Sequence, residues 1–375
     1  MRVLILIYEF PPIGGGGGAA ARDICIGLAS RGHEVKVLTA HFGDLPRRET
    51  ISGVDVIRLA SLRREAFRAR LPEMSAFVLT SLIAGASLAR RFHPNVIHAH
   101  FAVPAGAAAW TLSRLTHIPY ILTAHLGDVP GGVPEKTGKW FRFIQPFTQP
   151  IWRGAKRVVA VSQFTRGLAL QHYNVPIEVI PNGVDATSLR PQNLEVHKPP
   201  HIVFAGRFME QKNPLQIVRV LSRLRHLEWI CSLLGDGPLF EPVRREIESL
   251  GLTDRFHLPG WVAPEQVIAE FQRSDILFMP SLSEGLPVVG VDALVKGLAI
   301  VASKIGGFLD LVDQDRNGYL VKVEDEAGFA SALRELISDR NRLLDFRNAS
   351  LMKARDFDIE KIADQYEGMM RDVTQ

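Results

Sequence analysis

Cysteine is scarce in this sequence, with two residues in 375. Cys25 and Cys231 lie in different halves and inside apolar segments, so we interpret both as buried thiols in a reducing compartment. Long apolar runs are also lacking. The opening segment is interrupted by Glu9 and is too short for a secretory signal. The longest run without a charged residue or a histidine, residues 74–89, falls short of the ~20 residues that span a bilayer. We therefore expect a cytoplasmic protein.

Charge is unevenly distributed along the chain. Residues 1–180 carry 21 Lys and Arg against 11 Asp and Glu, whereas residues 181–375 carry 23 against 29. This asymmetry suggests that the first half meets an anionic partner. One interpretation is peripheral contact with anionic lipid at the inner face of the membrane, because Arg63, Arg64, Arg68 and Arg70 crowd one segment. A solvated basic helix is the other interpretation, and we expect no nucleic-acid partner.

The length of the chain predicts two domains, and its 46% hydrophobic and 22% charged residues are typical of a globular protein. Short apolar segments alternate with helical ones, restarting after residues 181–200. This rhythm indicates an α/β fold with two Rossmann-like halves, each a parallel sheet with helices on both faces. The predicted strands are 3–7, 35–39, 96–98, 120–123 and 157–161, then 202–205, 229–234, 257–258, 276–279 and 299–302.

Five consecutive glycines, Gly14 to Gly18, separate the first strand from a predicted helix over 19–30. Such a loop lets backbone N–H groups approach an anion at a helix N-terminus. Gly14, Gly16 and Ala19 can be aligned with the dinucleotide fingerprint, but the second strand ends without an acidic residue for a ribose. A dehydrogenase is therefore disfavoured, and a merely flexible loop is the alternative.

Three histidines lie at strand ends. His98 and His100 end one strand, and His125 follows another, with Asp128 three residues later. We expect the side chains of His98 and His100 to point to opposite faces of their strand. No third ligand is spaced to complete a zinc site, so we predict no metal here. Ser162 precedes a helical segment and is predicted to cap it.

Residues 277–303 read as a strand, a loop, a helix and a second strand. Glu284 comes just after the first strand, and Asp292 lies about two helical turns further on. Open α/β sheets bind ligands outside the carboxyl ends of their strands. We therefore predict that both carboxylates accept hydroxyl groups in one pocket.

Cations follow the first strand of the second half. Arg207 and Lys212 suit a diphosphate, because Arg offers a planar pair of donors and Lys a point charge. We expect no D-x-D motif to present carboxylates to a divalent cation, so these cations, helix N-termini and the glycine loop would neutralise a departing diphosphate. Asp236, in the sequence Gly235-Asp236-Gly237, is read as part of a supporting turn.

These motifs together resemble the retaining GT-B glycosyltransferases of the large family four, also described as glycosyl transferases group 1. The matching sequences are S-E-G-x-P at Ser283 to Pro287, G-R-F-x3-K at Gly206 to Lys212, the G-D-G turn and the pair Gly306 and Gly307. Asp292 stands where the family has a second Glu, and it is one methylene shorter. The resemblance covers nearly the whole chain.

The resemblance implies two Rossmann-like domains facing a central cleft. Residues 1–183 would form the acceptor domain, joined by a helix that returns over 358–375. Residues 184–357 would form the nucleotide-sugar donor domain.

Site roles are implied residue by residue. The implied catalytic residues are His125 at the donor sugar's hydroxyls, Glu284 at the sugar, and Arg207 and Lys212 at the pyrophosphate. The implied donor-binding residues are Gly16, Gly17, Gly285, Leu286, Pro287 and, at the ribose, Asp292. The implied supporting residues are Asp128, Ser162 and Asp236.

The implied reaction is a retaining, metal-independent transfer of a sugar from a UDP or GDP sugar to a glycan or lipid-linked acceptor, without a cofactor. The leaving phosphate would help to deprotonate the acceptor, and the pathway would be cell-surface polysaccharide or glycoconjugate biosynthesis. Two alternatives remain open. One is a nucleotide-sugar epimerase or a phosphorylase on the same fold, and the other is a non-catalytic nucleotide-sugar binding protein.

Overall fold

The structure is a computed structural model that describes residues 1–65, 70–133 and 141–375. Its internal contacts divide the chain into two compact units. Unit 1 comprises Met1–Gly183 and Ile359–Gln375, and unit 2 comprises Val184–Asp358. Each has its own sheet with helices, and the strands are parallel apart from one edge strand of unit 1. This confirms the predicted α/β architecture of two Rossmann-like halves.

Unit 1 contains an eight-stranded sheet in the order β3-β4-β2-β1-β5-β6-β7-β8. Its neighbouring strands are parallel except for β3 and β4, which are antiparallel. The strands are β1 Arg2–Leu6, β2 Glu34–Ala40, β3 Arg48–Ile51, β4 Val54–Leu59, β5 Val96–His100, β6 Tyr120–Ala124, β7 Arg157–Ala160 and β8 Glu178–Val179. The helices are α1 Gly16–Ser30, α2 Leu71–Arg91, α3 Ala107–Thr116, α4 Phe141–Gly154 and α5 Gln163–Leu170.

The central strands of unit 1 are covered on both faces. The sequences RVLIL of β1 and VIHAH of β5 are nearly continuous runs of buried residues, as expected where helices pack on each side. One core layer includes Phe77 of α2, Leu112 of α3 and Trp152 of α4, and the other includes Ile24 of α1.

Unit 2 contains a six-stranded, all-parallel sheet in the order β11-β10-β9-β12-β13-β14. The strands are β9 His201–Ala205, β10 Ile230–Leu234, β11 Phe256–Gly260, β12 Ile276–Met279, β13 Ala299–Ser303 and β14 Gly318–Val321. The helices are α6 Pro214–Ser222, α7 Phe240–Ser249, α8 Pro264–Gln272, α9 Val288–Val295, α10 Phe308–Leu311, α11 Glu326–Ser338 and α12 Arg340–Lys353.

The last helix, α13 Ile359–Thr374, returns to unit 1, as the resemblance implied. It packs on α1, and Tyr366 and Met370 are buried in the same core layer as Ile24. Arg31, at the end of α1, forms ion pairs of 2.6 Å with Glu360 and 3.1 Å with Asp364. The last turns of the chain thus complete the first unit.

All ten predicted strands are present, and their ends differ by at most two residues. Four strands were not predicted, namely β3, β4, β8 and β14. Three of them, β3, β8 and β14, are edge strands, and β4 lies next to an edge. β3 has no buried residue, and in β4 the buried Val54 and Val56 alternate with half-buried Asp55.

The uncharged run 74–89 forms part of α2, and the complete helix has 21 residues. The helix is therefore longer than the uncharged run alone. Arg63, Arg64 and Arg70 are described in the structure, and Arg68 lies outside the described residues.

Candidate active site

The sheet of unit 2 has a topological switch between β9 and β12. From β9 the chain proceeds to β10 and β11 on one side, and from β12 to β13 and β14 on the other. The loops after β9 and β12 therefore diverge, which leaves a crevice outside the carboxyl ends of the strands. Lys212 follows β9 and Glu284 follows β12, so the topology brings these two predicted residues to the same point.

Lys212 and Glu284 form a close ion pair. Lys212 Nζ lies 2.5 Å from Glu284 Oε1, and the two side chains are only 17% and 7% exposed. The loops that carry them are also joined, because Gln211 Nε2 donates to the carbonyl of Ser283 at 3.0 Å and Leu282 N donates to the carbonyl of Gln211 at 2.8 Å. Arg207, at the end of β9, has an exposed side chain. Two cations and one carboxylate thus stand outside neighbouring strands.

The loop after β13 closes on the backbone beside Glu284. A side chain on Gly306 would overlap the carbonyl of Glu284, and one on Gly307 would overlap that of Gly285. Gly306 also has a φ of +48°, a conformation that favours glycine. The Gly-Gly pair is needed here because two backbone segments touch.

Asp292 lies on α9, which begins directly after Pro287. Four residues further, Lys296 is buried, and burial lowers the pKa of its ammonium while the negative charge of Asp292 opposes that shift. Asp292 therefore has a cation of its own helix nearby. Its predicted contact with a ribose stays a prediction.

Asp236 supports a turn beside this crevice. Its Oδ1 accepts a hydrogen bond of 2.6 Å from Gly237 N, and its carbonyl accepts one from Phe208 N at 2.9 Å. The loop after β10 is thereby fixed to the loop that carries Arg207.

Unit 1 has a similar switch between β1 and β5. Helix α1 begins at Gly16, three residues earlier than predicted. The glycines at positions 16 to 18 occupy the first turn of the helix. The N–H groups of Gly18 and Ala19 both donate to the carbonyl of Gly15, so this turn is already hydrogen-bonded. The first N–H groups of this 15-residue helix, including those of Gly16 and Gly17, can bind an anion.

His125 stacks on Phe101, with ring centroids 4.2 Å apart. A Cβ atom on Gly17 would lie 3.3 Å from His125 Nδ1 and 2.7 Å from Phe101 Cζ, so the start of α1 packs against both rings. Burial lowers the pKa of His125 to about 4. The imidazole is therefore neutral at neutral pH and can serve as a hydrogen-bonding group rather than a cation.

Asp128 holds the His125 loop. Its Oδ2 accepts from His125 N at 2.8 Å, and its Oδ1 accepts from Ala102 N at 2.9 Å. Burial raises the pKa of Asp128 to about 7, while the N–H groups of His125, Ala102 and Val103 act to lower it. This carboxyl group ties the loop after β6 to the loop after β5.

Ser162 is the N-cap of α5, as predicted. Its Oγ accepts a hydrogen bond of 3.1 Å from Thr165 N, and both side chains are buried. The cap fixes the start of the helix that follows β7.

The expectation for His98 and His100 was wrong. Side chains alternate along a strand with a period of two, so residues two apart share a face, and these ring centroids are 4.2 Å apart. His98 Nε2 contacts Thr123 Oγ1 at 2.8 Å, and Thr123 Oγ1 contacts Tyr366 OH of α13 at 3.1 Å. In the described ranges, no group of three or more His, Cys, Asp or Glu residues could hold a metal ion.

The sequence contains two D-x-D triplets, Asp313 to Asp315 and Asp356 to Asp358. Asp313 and Asp315 precede β14, so they lie at the edge where the strands begin, opposite Glu284. Asp313 Oδ1 lies 3.1 Å from Lys353 Nζ. Asp356 and Asp358 lie between α12 and α13.

A charged pair in unit 1 was missed. Glu9 follows β1 at the switch, and its Oε1 lies 3.1 Å from Nη2 of Arg63, whose side chain is fully buried. Arg63 also lies over the ring of Tyr8, 4.7 Å from its centroid. The sequence feature that could have identified this pair is Glu9, a charged residue shortly after a buried central strand and just before the glycines.

Two family sequence models match the chain in succession. The one described as Glycosyltransferase Family 4 matches residues 14–188, and the one described as Glycosyl transferases group 1 matches residues 185–351. Among curated relatives, the D-inositol 3-phosphate glycosyltransferase of Paenarthrobacter aurescens (strain TC1) is 29% identical, covering 95% of this chain and 93% of the relative. The 2-deoxystreptamine glucosyltransferase of Streptomyces kanamyceticus is 26% identical, covering 83% and 87%.

Solved structures share the fold. Sucrose-phosphate synthase from Thermosynechococcus elongatus superposes with a TM-score of 0.86 at 19% identity, over 99% of this chain and 98% of the other. Anabaena Alr3699/HepE in complex with UDP-glucose gives a TM-score of 0.78 at 18% identity, over 99% and 100%. With both family models matching in order along the two units, the chain belongs to the family 4 glycosyltransferases of GT-B fold.

Proposed function

We propose that this glycosyltransferase takes its sugar from a nucleoside-diphosphate donor, a UDP or GDP sugar, which unit 2 binds at its switch point. The observation that carries the proposal is the Lys212–Glu284 ion pair, nearly buried where the strand order reverses. A buried pair of this kind holds a carboxylate in place, where it can accept hydrogen bonds from sugar hydroxyls. The structures of HepE with UDP and UDP-glucose support the donor class.

In the proposed reaction, the bond between the anomeric carbon and the β-phosphate oxygen breaks. The acceptor oxygen forms the new bond to the same face of the sugar, and the acceptor's proton passes to the departing phosphate. Arg207 and Lys212 would stabilise the charge that develops on the diphosphate, so we propose that no metal is required. Gly285, Leu286 and Pro287 would line the donor sugar.

The remaining predicted roles belong to the same proposal. Asp292 would accept the ribose hydroxyls. In unit 1, Gly16 and Gly17 would offer N–H groups to phosphate, and the neutral imidazole of His125 would hydrogen-bond a sugar hydroxyl. The proposed acceptor is a glycan or a lipid-linked molecule of cell-surface polysaccharide or glycoconjugate biosynthesis.

Thermal denaturation of the whole protein with UDP, GDP and ADP tests the donor proposal. At a ligand concentration one hundred times Kd, binding stabilises by about 2.7 kcal/mol. For a unit of this size, that corresponds to a rise in Tm of roughly 5–10 °C. UDP or GDP should give this rise, and Arg207→Ala should reduce it. The matched control Lys322→Ala removes an exposed cation of unit 2 and should not.

Transfer itself is tested by acceptor-dependent release of nucleotide, with the product's anomeric configuration read by NMR. The expected product keeps the donor's configuration, and EDTA leaves the rate unchanged. Inversion would refute the retaining mechanism. Activity lost in EDTA and restored by Mg²⁺ or Mn²⁺ would refute metal independence. Absence of any rise in Tm with all three nucleotides would refute the donor class.

A further inference from the structure

The outward face of α2 in unit 1 is uncharged over four helical turns, with Ser75 and Ser87 on either side of two exposed apolar residues. The helix buries Phe77, Ser81 and Gly85 on one side. On the other side Leu79 is 63% exposed and Ile83 is 75% exposed, and no charged residue occurs between Glu73 and Arg90. A surface helix ordinarily carries charged and polar groups on its outer face. The exposed stripe of α2 therefore lacks the charged groups that are usual on a solvent-facing helix surface.

By length and composition alone, helix α2 is long and apolar enough to cross a membrane. Only 22% of its most apolar stretch is buried in the protein. Its inner face nevertheless fixes it in unit 1. Phe77 packs edge-on against Tyr8 with centroids 5.1 Å apart, and the backbone at Gly85 lies close to Leu112 of α3. A helix held in this way presents one side, about 31 Å long, parallel to the surface of the protein.

Cations border the stripe at both ends. Arg70 at the N-terminal end is 57% exposed, although its guanidinium pairs with Glu65, and Arg90 and Arg91 are exposed in the last turn.

We propose that the outer face of α2 docks in the plane of an anionic lipid surface. Leu79 and Ile83 enter the boundary between headgroups and acyl chains, and the terminal arginines contact lipid phosphates. An anionic bilayer fits better than a protein or a second copy of the chain, because its surface has a layer of anionic phosphates above apolar acyl chains. The uncharged stripe can enter the acyl-chain boundary while the flanking cations contact the phosphates. Unit 1 as a whole carries 23 Lys and Arg against 15 Asp and Glu.

Flotation of the full chain with vesicles tests this inference. Vesicles of phosphatidylcholine alone are compared with vesicles containing about 30 mol% phosphatidylglycerol, at about 50 mM and about 500 mM salt. We expect binding to the anionic vesicles at low salt that weakens at high salt. Leu79→Gln combined with Ile83→Gln should lower the bound fraction about tenfold or more, and Arg90→Gln combined with Arg91→Gln should weaken its salt dependence.

Matched controls lie in unit 2. Met352→Gln removes an exposed apolar side chain, and Arg334→Gln with Arg340→Gln removes two exposed cations, so each should leave binding unchanged. Absence of binding to anionic vesicles at low salt would overturn the proposal, as would equal binding by the α2 variants. A dimer in sedimentation velocity that Leu79→Gln and Ile83→Gln abolish, without vesicle binding, would assign the face to a second copy. None of these results depends on glycosyl transfer.

Discussion

Replacing Lys212 by Met removes one partner of the Lys212–Glu284 pair while keeping most of the side chain's volume. Glu284, only 7% exposed, is then left as a buried carboxylate without its cation. Removing one partner of a buried ion pair costs about 3–5 kcal/mol. Because Lys212 itself is 17% exposed, we expect the lower end, about 3 kcal/mol. The Tm of unit 2 should fall by roughly 6–12 °C.

The partner variant and the double variant separate structure from chemistry. Glu284→Gln should cost less, about 1–2 kcal/mol, because the flexible lysine can turn its ammonium towards water. The double variant has no unpaired buried charge, so it should recover stability with a coupling of about 1.5 kcal/mol or more. Turnover should stay about a hundredfold low in all three variants, since the groups that act on the donor are missing.

Differential scanning calorimetry with and without UDP identifies the transition of unit 2 and gives its Tm, and steady-state nucleotide release gives the turnover. Lys322→Met serves as the exposed-lysine control. Two results would refute the reasoning. A Tm within about 2 °C of wild type for Lys212→Met would show that the pair contributes little to stability. Recovery of both Tm and turnover in the double variant would show that the pair is structural only.

Three further predictions concern other parts of the two units. Gly17→Ala should lower the free energy of unfolding by about 1–3 kcal/mol, because the new Cβ meets the rings of Phe101 and His125. Gly167→Ala, with open space around it, should raise the free energy of unfolding by about 0.5–1 kcal/mol, and urea denaturation compares the two variants. Asp128 has its pKa raised from 3.8 to about 7 in the folded chain, so unit 1 binds that proton more tightly than the unfolded chain and loses stability as pH rises through 7. The Tm of wild type minus that of Asp128→Asn should therefore fall from pH 5 to pH 8, and a constant difference would contradict this pKa. Asp292→Asn should weaken binding of the nucleoside diphosphate severalfold and Asp292→Glu less so, since charged hydrogen bonds contribute about 1.5–3 kcal/mol against about 1 for neutral ones. Equal affinity of Asp292→Asn and wild type in calorimetry would exclude a ribose contact.

The sequence predicted the parts of the fold that depend on local apolar patterns. Central strands such as β12, whose four residues are all buried, are written as continuous apolar runs and were located with little error. The peripheral strand β3 pairs through backbone groups on the sheet edge and has no buried residue, so no side-chain pattern marks it. Long-range pairing, rather than local sequence, creates such a strand.

The candidate site shows the same division. The order of motifs indicated that Lys212 and Glu284 belong together, but only the strand order shows that they meet at a switch point. The pairing of Glu9 with Arg63 joins residues 54 positions apart, and no spacing rule predicts such a contact. For His98 and His100 the information was present, and the strand period was misapplied.

The return of α13 to unit 1 has a consequence for synthesis on the ribosome. The first 183 residues emerge early, yet the helix that covers Ile24 and Cys25 is translated last, after the 175 residues of unit 2. At a synthesis rate of about 5–20 residues per second, this apolar surface of the nascent first unit stays uncovered for roughly 10–35 s. Unit 2, which is contiguous, needs no such delay. A chain released before Ile359 would therefore carry a finished second unit and an unfinished first one, a species suited to capture by chaperones.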